Sequence, residues 1–489
     1  MSVSPEVWLL GVCALPLLAA PTVYVLGPRC LPLLPMAVSA SVLVSAVALW
    51  FRFVEKGAWT YALAGWDAPL GILWRVDATS LLMIIATALV ALLVALFSQE
   101  EEAAMGGSKR AVVFWPLFLF LLGSLNALFL SGDIFNIYVS LELVSLAAVS
   151  MVVLGGSVAA LRAAMRYLLI ALAGSMSYLL GVGLLYALFG TLDVGLLAER
   201  MEPVAAARFA FVLMAVGLLA KTALFPLHVW LPPAHSSAPT AASALLSALV
   251  VMGSMYWLLR LWLEVFAPIM PVAFAQLLGA LGALAVLWGS AMALVQRRLK
   301  LLVAYSTIAQ FGYVLLLLPL TQSMAAAAAW SGGLWLLLSH AFAKSAMFLA
   351  AGLILHARRR DYLSDVVGAA SQLPMAVFAL GLAGLTLMGL PPSGGFVAKW
   401  LLLEASISSG QWWWVLVLIG GGFLAAGYVF SVLKPAFRGP RGAAQFAPVP
   451  HWPQAVCLAM AVISVLMGLY PAPFLEWLAL AAGGAGGGG

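Results

Sequence analysis

The protein is a chain of 489 residues, of which 65% are hydrophobic and only 8% are charged. Soluble domains carry roughly a quarter charged residues, so this composition excludes a water-soluble enzyme, a disordered chain and a disulfide-stapled secreted module. It predicts an all-α polytopic membrane protein. The formal net charge of +6 fits the excess of lysine and arginine in cytoplasmic loops better than nucleic-acid binding, so we expect no nucleic-acid partner.

Apolar runs separated by charged residues, prolines and glycines predict fourteen spanning helices, since each span takes roughly 20 apolar residues. Prolines interrupt span seven at Pro226 and span twelve at Pro392. Such breaks persist only where protein or water satisfies the freed backbone groups. In chain order the predicted spans are 8–26, 31–51, 79–98, 112–130, 134–155, 164–189, 206–230, 237–264, 271–294, 300–319, 327–355, 372–406, 411–434 and 453–477.

The two broken spans indicate an internal repeat. Each contains one lysine, Lys221 or Lys399, and the lysine precedes the break in one span and follows it in the other. Paired broken helices of this kind point to inverted repeats in transporters. We therefore expect two inverted five-helix repeats, spans four to eight and nine to thirteen. The predicted division is residues 1–111 for the N-terminal helices, 112–266 and 267–436 for the repeats, and 437–489 for span fourteen with a Gly-rich tail.

Basic residues predict the orientation in the inner (cytoplasmic) membrane of the cell. Fourteen fall in loops after odd-numbered spans and six in loops after even-numbered spans, which places both termini outside the cytoplasm. The first set is Arg29, Lys109, Arg110, Arg162, Arg166, Arg297, Arg298, Lys300, Arg358, Arg359, Arg360, Lys434, Arg438 and Arg441. The second set is Arg52, Lys56, Arg75, Arg200, Arg208 and Arg260.

The remaining basic residues, Lys221, Lys344 and Lys399, lie inside apolar spans, and Glu142 lies deep in span five. An ionisable side chain at mid-membrane costs at least roughly 2.5–3.5 kcal/mol, so it is rare and usually functional. His340 precedes Lys344 by four residues, which places both on one helix face. Because burial favours the neutral forms of lysine and glutamate, these groups can exchange protons near neutral pH, and we predict a proton relay through all five.

Each of these groups also has a structural interpretation. Glu142 and Lys221 could form an ion pair that locks two helices together. His340 and Lys344 could hydrogen-bond to a neighbouring broken helix, and Lys399 could extend to the membrane surface. These alternatives stay open on the sequence alone.

Supporting residues are expected around the relay. His228 and His235 follow the first break, and histidine titrates near physiological pH, so either could receive protons near the membrane surface, although His235 could also be a capped loop residue. Tyr305, Ser306 and Gln310 in span ten could hold waters between the lysines or serve as helix–helix contacts. The chain has three cysteines without metal-ligand spacing and no dinucleotide motif, so we expect no metal and no redox cofactor in this chain.

Four segments carry a family resemblance: KTALFPLHVWLPPAHSSAPTAASALLSALV, RRLKLLVAYSTIAQFGYVLL, LSHAFAKSAMFLAAG and GLPPSGGFVAKW. They resemble the antiporter-like membrane subunits of the complex I superfamily, which occur in respiratory NADH–quinone oxidoreductase, in membrane-bound hydrogenases and in Mrp-type cation/proton antiporters. The resemblance covers about residues 70–435. It implies a fourteen-helix core with inverted repeats, broken helices seven and twelve, and a hydrophilic axis along the membrane midplane.

The resemblance also assigns residues to that axis. The family's glutamate of helix five matches Glu142, its lysine of helix seven matches Lys221, and its terminal ionisable residue of helix twelve matches Lys399. Its histidine and lysine of helix eleven match His340 and Lys344. Many members carry a lysine in helix eight, where this chain has valine at position 251. The link between the two halves must then run through His340, Lys344 or water.

The function implied is that of a proton-translocating subunit of a multisubunit membrane complex. The segment SGDIFNIYVSLEL and the short C-terminal end resemble the D-type members of Mrp antiporters and the hydrogenase-type members, which implies Na⁺/H⁺ antiport with other membrane subunits as partners. The alternative is a proton-pumping subunit of a membrane-bound hydrogenase or an NADH–quinone oxidoreductase. A stand-alone carrier of a small solute and a purely structural scaffold are two further hypotheses.

Overall fold

The computed structural model describes residues 5–104, 109–439 and 446–484. Arg441 and the last five residues of the Gly-rich tail lie outside this part of the chain. Within the described residues, twelve helices are long and apolar enough to cross a membrane. The two spans with proline breaks consist of shorter helices, so all fourteen predicted spans have a helical counterpart. The chain is a multi-pass membrane protein.

Spans one to six are single helices, and a short helix, α7, follows the sixth. Span seven is divided into α8 and α9, and span eight contains α10, α11 and two π-helical turns, Leu246–Val250 and Trp262–Phe266. The helices of the first half are α1 (Pro5–Leu26), α2 (Leu33–Lys56), α3 (Ala78–Ala104), α4 (Lys109–Leu130), α5 (Ile134–Val153), α6 (Val158–Phe189), α7 (Val194–Arg200), α8 (Ala205–Lys221), α9 (Leu231–Ser237), α10 (Thr240–Leu245) and α11 (Val251–Leu261).

In the second half, span ten consists of α13 and α14, and span twelve is divided into α17 and α18. The helices are α12 (Val272–Val295), α13 (Leu299–Leu315), α14 (Leu317–Leu320), α15 (Ala326–Arg358), α16 (Ala369–Gln372), α17 (Pro374–Met388), α18 (Gly394–Ser408), α19 (Trp413–Ala436), α20 (His451–Leu469) and α21 (Ala472–Gly484).

The segment between α2 and α3 and the end of span fourteen differ from the sequence prediction. Between α2 and α3, strands β1 (Trp59–Ala62) and β2 (Leu73–Val76) form an antiparallel hairpin that we did not predict. Span fourteen was predicted to continue to residue 477, but α20 ends at Leu469 and α21 begins after Pro471. A residue before proline is disfavoured in the α conformation, which explains the interruption.

The two sets of five spans share the same neighbour relations. The first two spans of each set pack together, as α4 with α5 and as α12 with α13. The third span contacts the first arm of the broken one in both sets, as α6 with α8 and as α15 with α17. Because five is an odd number of crossings, the second set starts from the opposite side of the membrane, and the repeats are inverted. The exact domain boundaries stay a prediction.

Spans eight and eleven are the most central elements. Both are enclosed by other helices along their whole apolar length, whereas spans one and thirteen expose most of theirs. The central helix α15 packs against α13, α17, α18 and α20. Apolar side chains of the outer spans therefore face lipid, and the polar side chains described below lie inside the protein.

Candidate functional site

The first lysine site lies where α8 ends. The helix stops at Lys221, and two residues later Ala223 adopts a positive φ of 56°, a conformation rare outside glycine. The Nζ atom of Lys221 donates to Glu142 Oε1 at 3.0 Å, to Ser145 Oγ at 2.8 Å and to the Leu141 carbonyl at 3.4 Å. All three protons of an ammonium group thus have acceptors on α5.

Glu142 occupies the edge of this site. Its carboxylate also accepts a hydrogen bond from Ser175 on α6. The side chain of Glu142 is 17% exposed, compared with 5% for Lys221. The predicted pair of Glu142 and Lys221 is therefore formed, with the lysine inside and the carboxylate towards the protein surface.

The break of span seven occupies residues 222–230 and contains Pro226, as predicted. The break removes an intrahelical donor from the last carbonyls of α8. The Ala220 carbonyl accepts from the Trp230 indole Nε1 at 2.9 Å in addition to the backbone N–H of Ala223 at 3.2 Å. The Trp230 ring is stacked on Tyr167 with a centroid distance of 3.9 Å. A broken helix in lipid needs such compensation.

The second lysine site lies in the middle of α15. Lys344 is completely buried, and its Nζ donates to Ser306 Oγ at 2.7 Å and to the Val303 carbonyl. The Nζ atom also lies 5.6 Å from the centroid of the Phe348 ring. Among the described residues, no carboxylate forms an ion pair with Lys344. Neutral acceptors alone surround this amine.

Two buried histidines accompany Lys344. His340 lies one turn earlier on α15 and contacts the Phe311 ring edge-on at 4.9 Å. His235 on α9 lies with its ring 5.0 Å from that of Phe348, the ring that Lys344 also faces. His235 is therefore in the core rather than near the membrane surface, because α9 folds inward against α13. Neither histidine has a hydrogen-bond partner for its ring nitrogens within the described chain.

The third lysine site is formed by the break of span twelve. Because α17 ends at Met388, the carbonyl of Leu387 has no intrahelical donor, and it accepts from Lys399 Nζ at 2.7 Å and from Gln310 Nε2 at 3.1 Å. Lys399 Nζ also lies 4.0 Å from the centroid of the Tyr313 ring, a cation–π arrangement. Lys399 thus points into the protein and does not extend to the membrane surface.

The second break requires glycine beside this lysine. Pro392 lies in the non-helical segment between α17 and α18, as predicted. At the start of the segment, Gly389 has a φ of +77°. A Cβ atom there would lie 2.6 Å from Cδ of Lys399. Both the backbone conformation and the close approach of Lys399 disfavour a larger residue.

Two of the predicted supporting residues, His228 and Tyr305, lie elsewhere. Together with Arg162 and Arg166 they line a cavity of about 590 Å³. The Nε2 atom of His228 accepts from the Trp288 indole at 3.3 Å. Ser306 and Gln310 therefore join the lysine sites directly, whereas His228 and Tyr305 belong to a separate opening.

Sequence reasoning missed a cluster of charges at the end of span eight. Arg260 was assigned to a loop, but it is buried and donates to Asp77 at 2.8 Å and to Glu264 at 2.6 Å. Arg75 on β2 donates to the same Glu264 at 2.6 Å. Burial alone would raise the pKa of Asp77, but the charge of Arg260 and the hydrogen bond from Thr79 lower it to about 2. The i, i+4 spacing of Arg260 and Glu264 was the available signal.

Lys300 was also assigned to a loop. It lies in the first turn of α13 and is buried, with Nζ donating to the Ala238 carbonyl at 3.1 Å. The serines that hold Lys221 and Glu142 were missed as well, since isolated serines in an apolar helix are common and carry no distinguishing pattern.

Two inverted repeats, each with a broken helix, are typical of secondary transporters. Residues 131–425 match the family described as NADH:quinone oxidoreductase/Mrp antiporter, TM. This match covers more than half of the chain, and the chain belongs to that family.

Two relatives represent the two branches in the family's description. The chain is 36% identical to the N subunit of NADH-quinone oxidoreductase from Desulforudis audaxviator (strain MP104C), over 82% of this chain and 80% of the relative. It is 28% identical to the D subunit of the Na(+)/H(+) antiporter from Bacillus subtilis (strain 168), over 86% of this chain and 85% of the relative.

Solved structures agree on the fold. A chain of the Mrp complex from Dietzia sp. DQ12-45-1b superposes with a TM-score of 0.89 at 24% identity, covering 98% of this chain and 97% of that one. A chain of the membrane-bound sulfane sulfur reductase, an archaeal respiratory membrane complex, gives the same TM-score and coverage at 27% identity.

Proposed function

We propose that the chain is a proton-translocating subunit of a multisubunit membrane complex and that it takes part in Na⁺/H⁺ antiport. The observation that supports this most is the set of three buried lysines, Lys221, Lys344 and Lys399, each held by acceptors inside the protein. Charged side chains in such positions are costly and usually functional. The family membership supports the same function.

In this proposal the pair of Glu142 and Lys221 controls the first step. The attraction between the two charges stabilises the proton on Lys221 at an Nζ–Oε1 distance of 3.0 Å. Because Glu142 is partly exposed, a movement at a subunit boundary is able to separate the pair. Lys221 then loses this stabilisation and releases its proton inwards.

The later steps use the second half of the chain. The proton passes by way of His340 and Lys344, whose ammonium is held by Ser306, towards Lys399. Gln310 donates to the same Leu387 carbonyl as Lys399 and lies one turn beyond Ser306, so it connects the two sites. From Lys399 the proton leaves on the far side of the membrane.

Uptake from the cytoplasm is proposed to occur beside the first break. The cavity that reaches His228 and Tyr305 has a volume of about 590 Å³. His235 is buried between this region and Lys344, with both ring nitrogens free of partners among the described residues. The two ring nitrogens of a neutral histidine provide one acceptor and one donor, which is the pairing that a relay through His235 uses.

The alternative is a proton-pumping subunit of a redox-driven complex. The identity of 36% to the N subunit of NADH-quinone oxidoreductase favours it over the antiporter, for which the identity is 28%. Both alternatives use the same lysines and differ in the partner subunits. Co-purification separates them, because iron–sulfur subunits indicate a redox complex, whereas only small membrane chains and further antiporter-like subunits indicate the Mrp type.

We further propose an inner-membrane location with both termini outside the cytoplasm. The excess of basic residues in the loops after odd-numbered spans supports this orientation, and it persists when the buried Arg260 and Lys300 are removed from the two sets. Alkaline phosphatase fused to the C-terminus tests it. High phosphatase activity in intact cells is expected, and an inactive fusion of normal abundance would reverse the orientation.

The proposed function is tested by Lys221→Ala in inverted membrane vesicles that contain the complete complex. We expect loss of proton transport, with the complex still assembled as judged by native electrophoresis. Assembled complex with unchanged proton transport would remove Lys221 from the function.

A further inference from the structure

Two pairs of hydroxyl groups connect span eight to its neighbours. Thr222 Oγ1 lies 2.9 Å from Ser254 Oγ, and Ser247 Oγ lies 2.8 Å from Thr307 Oγ1. All four side chains are buried. The first pair joins the break of span seven to α11, and the second joins the π-helical turn of span eight to α13.

The first pair begins next to Lys221 in the chain, and the second shares a backbone acceptor with Lys344. Thr222 follows Lys221 directly in the chain. On the other side, Thr307 and Lys344 both donate to the carbonyl of Val303, Thr307 at 3.3 Å. Span eight therefore has a hydroxyl pair facing each half of the protein.

The two serines of span eight lie about two helical turns apart, with Val251 between them in the chain. Seven residues separate the two serines, which corresponds to about 10 Å along the helix axis. The π-helical turn Leu246–Val250 includes Ser247, and such turns occur frequently at functional sites. Val251, which is completely buried, is the apolar residue between the two hydroxyls.

The hydrogen bonds in both pairs are reversible. In each pair either oxygen is able to donate. Carbonyls provide alternative acceptors: that of Leu218 for Thr222 at 2.8 Å, and that of Val251 for Ser254 at 3.2 Å. Thr307 has the Val303 carbonyl. A hydroxyl that exchanges its acceptor in this way is able to take a proton from one side and release its own to the other.

We propose that the pairs Thr222–Ser254 and Ser247–Thr307 form a proton relay across span eight, from the Lys221 site to the Lys344 site. This inference rests on the proposed function. The ammonium of Lys221 loses one proton, each hydroxyl accepts a proton at oxygen as its own O–H proton leaves, and neutral Lys344 gains one. The proposal requires a water molecule to enter beside Val251 and to bridge the two pairs during transfer. One proton moves in total, and no other covalent bond changes.

The test uses Thr222→Val and Thr307→Val, because valine has the shape of threonine and its methyl group leaves no room for a substituting water. Proton flux is measured in inverted vesicles with the complete complex and is divided by the amount of assembled complex. We expect each variant to reduce this specific flux about tenfold or more, in keeping with the loss of a positioned proton donor.

Thr386→Val is the matched control. Thr386 Oγ1 lies 3.0 Å from Ser464 Oγ in a buried hydroxyl pair between α17 and α20, away from span eight. The control should retain its specific flux.

Val251→Thr adds a hydroxyl at constant volume between Ser247 and Ser254 and is expected to increase flux.

Lys344→Met, measured in parallel, distinguishes failure of the hydroxyl relay from failure of the proposed function. If Lys344→Met stops transport while Thr222→Val and Thr307→Val retain normal specific flux, the hydroxyl relay is overturned and the proposed function stands. If Lys344→Met also transports normally, the proposed function fails. If Thr222→Val and Thr307→Val lose transport only in proportion to the amount of assembled complex, the hydroxyls have a structural role. This result would also overturn the relay.

Discussion

The lysine sites of the two repeats differ in the chemistry of their partners. Lys221 has a carboxylate at 3.0 Å, whereas Lys344 has one hydroxyl and one carbonyl as acceptors. Coulomb attraction holds the charge of Lys221, but only dipoles hold that of Lys344. The first site is at the edge of the protein and the second is at its centre.

From this difference we propose that the two inverted repeats have separate tasks in proton transfer. An ion pair at a partly exposed edge opens at modest cost, and this makes the first site suitable for control. A central amine surrounded by neutral acceptors has no counter-charge that would retain its proton, and this makes the second site suitable for transfer. The consequences of substitution should differ accordingly.

The largest effect is expected at the second site. In Lys344→Met the acceptors stay satisfied, since Ser306 donates to the Val303 carbonyl at 2.9 Å without the lysine. Proton flux should fall by about a hundredfold or more, while the thermal stability of the purified complex is unchanged or slightly higher. A stable Lys344→Met complex with normal flux would overturn the proposed function and, with it, the distinction between the sites.

Removing the first lysine should reduce flux and stability together. Lys221→Met leaves Glu142 with Ser175 alone and should destabilise the protein by about 2 kcal/mol, less than the roughly 3–5 kcal/mol of a fully buried pair because the carboxylate is partly exposed. Thermal denaturation of the purified complex measures this loss.

The double variant Glu142→Gln with Lys221→Met is the control for that prediction. It removes both charges, so it should recover most of the stability without any recovery of proton flux. Equal instability of the single and double variants would show that the ion pair is not the source of the loss.

Substitutions in the helix breaks of spans seven and twelve should have smaller and different effects on stability. Gly389→Ala forces an L-residue into a left-handed conformation and displaces Lys399, so stability should fall by about 1–2 kcal/mol and flux should decrease. Ala223→Gly, in the other break, relieves the same kind of strain and should retain flux. Equal thermal stability and equal vesicle transport of the two variants would contradict this difference between the breaks.

Much of the fold could be predicted from the sequence, because runs of apolar residues are a strong signal in a membrane protein. The interruptions at Pro226 and Pro392 also followed from backbone chemistry. The hairpin between α2 and α3 was missed because its strands contain only four residues each. Arg260 was misplaced because its partner Asp77 lies 183 residues away in the chain, and only tertiary structure brings them together.

The candidate site, like the fold, could be predicted from the sequence only in part. The lysines, Glu142 and His340 stand out because charged and polar groups are scarce in apolar spans. The serines and threonines that accept from them do not stand out, since hydroxyl side chains occur throughout the spans. The depth of His235 depends on how α9 folds against α13, which no local pattern determines.

The most direct test of the central claim is the proton flux of Lys221→Arg in vesicles that contain the complete complex. Arginine retains the positive charge and the ion pair with Glu142, but its guanidinium stays protonated in proteins. If Lys221 transfers protons, this variant should assemble with near-normal stability and transport none. Normal proton flux in Lys221→Arg would contradict the claim and reduce the pair to a structural ion pair.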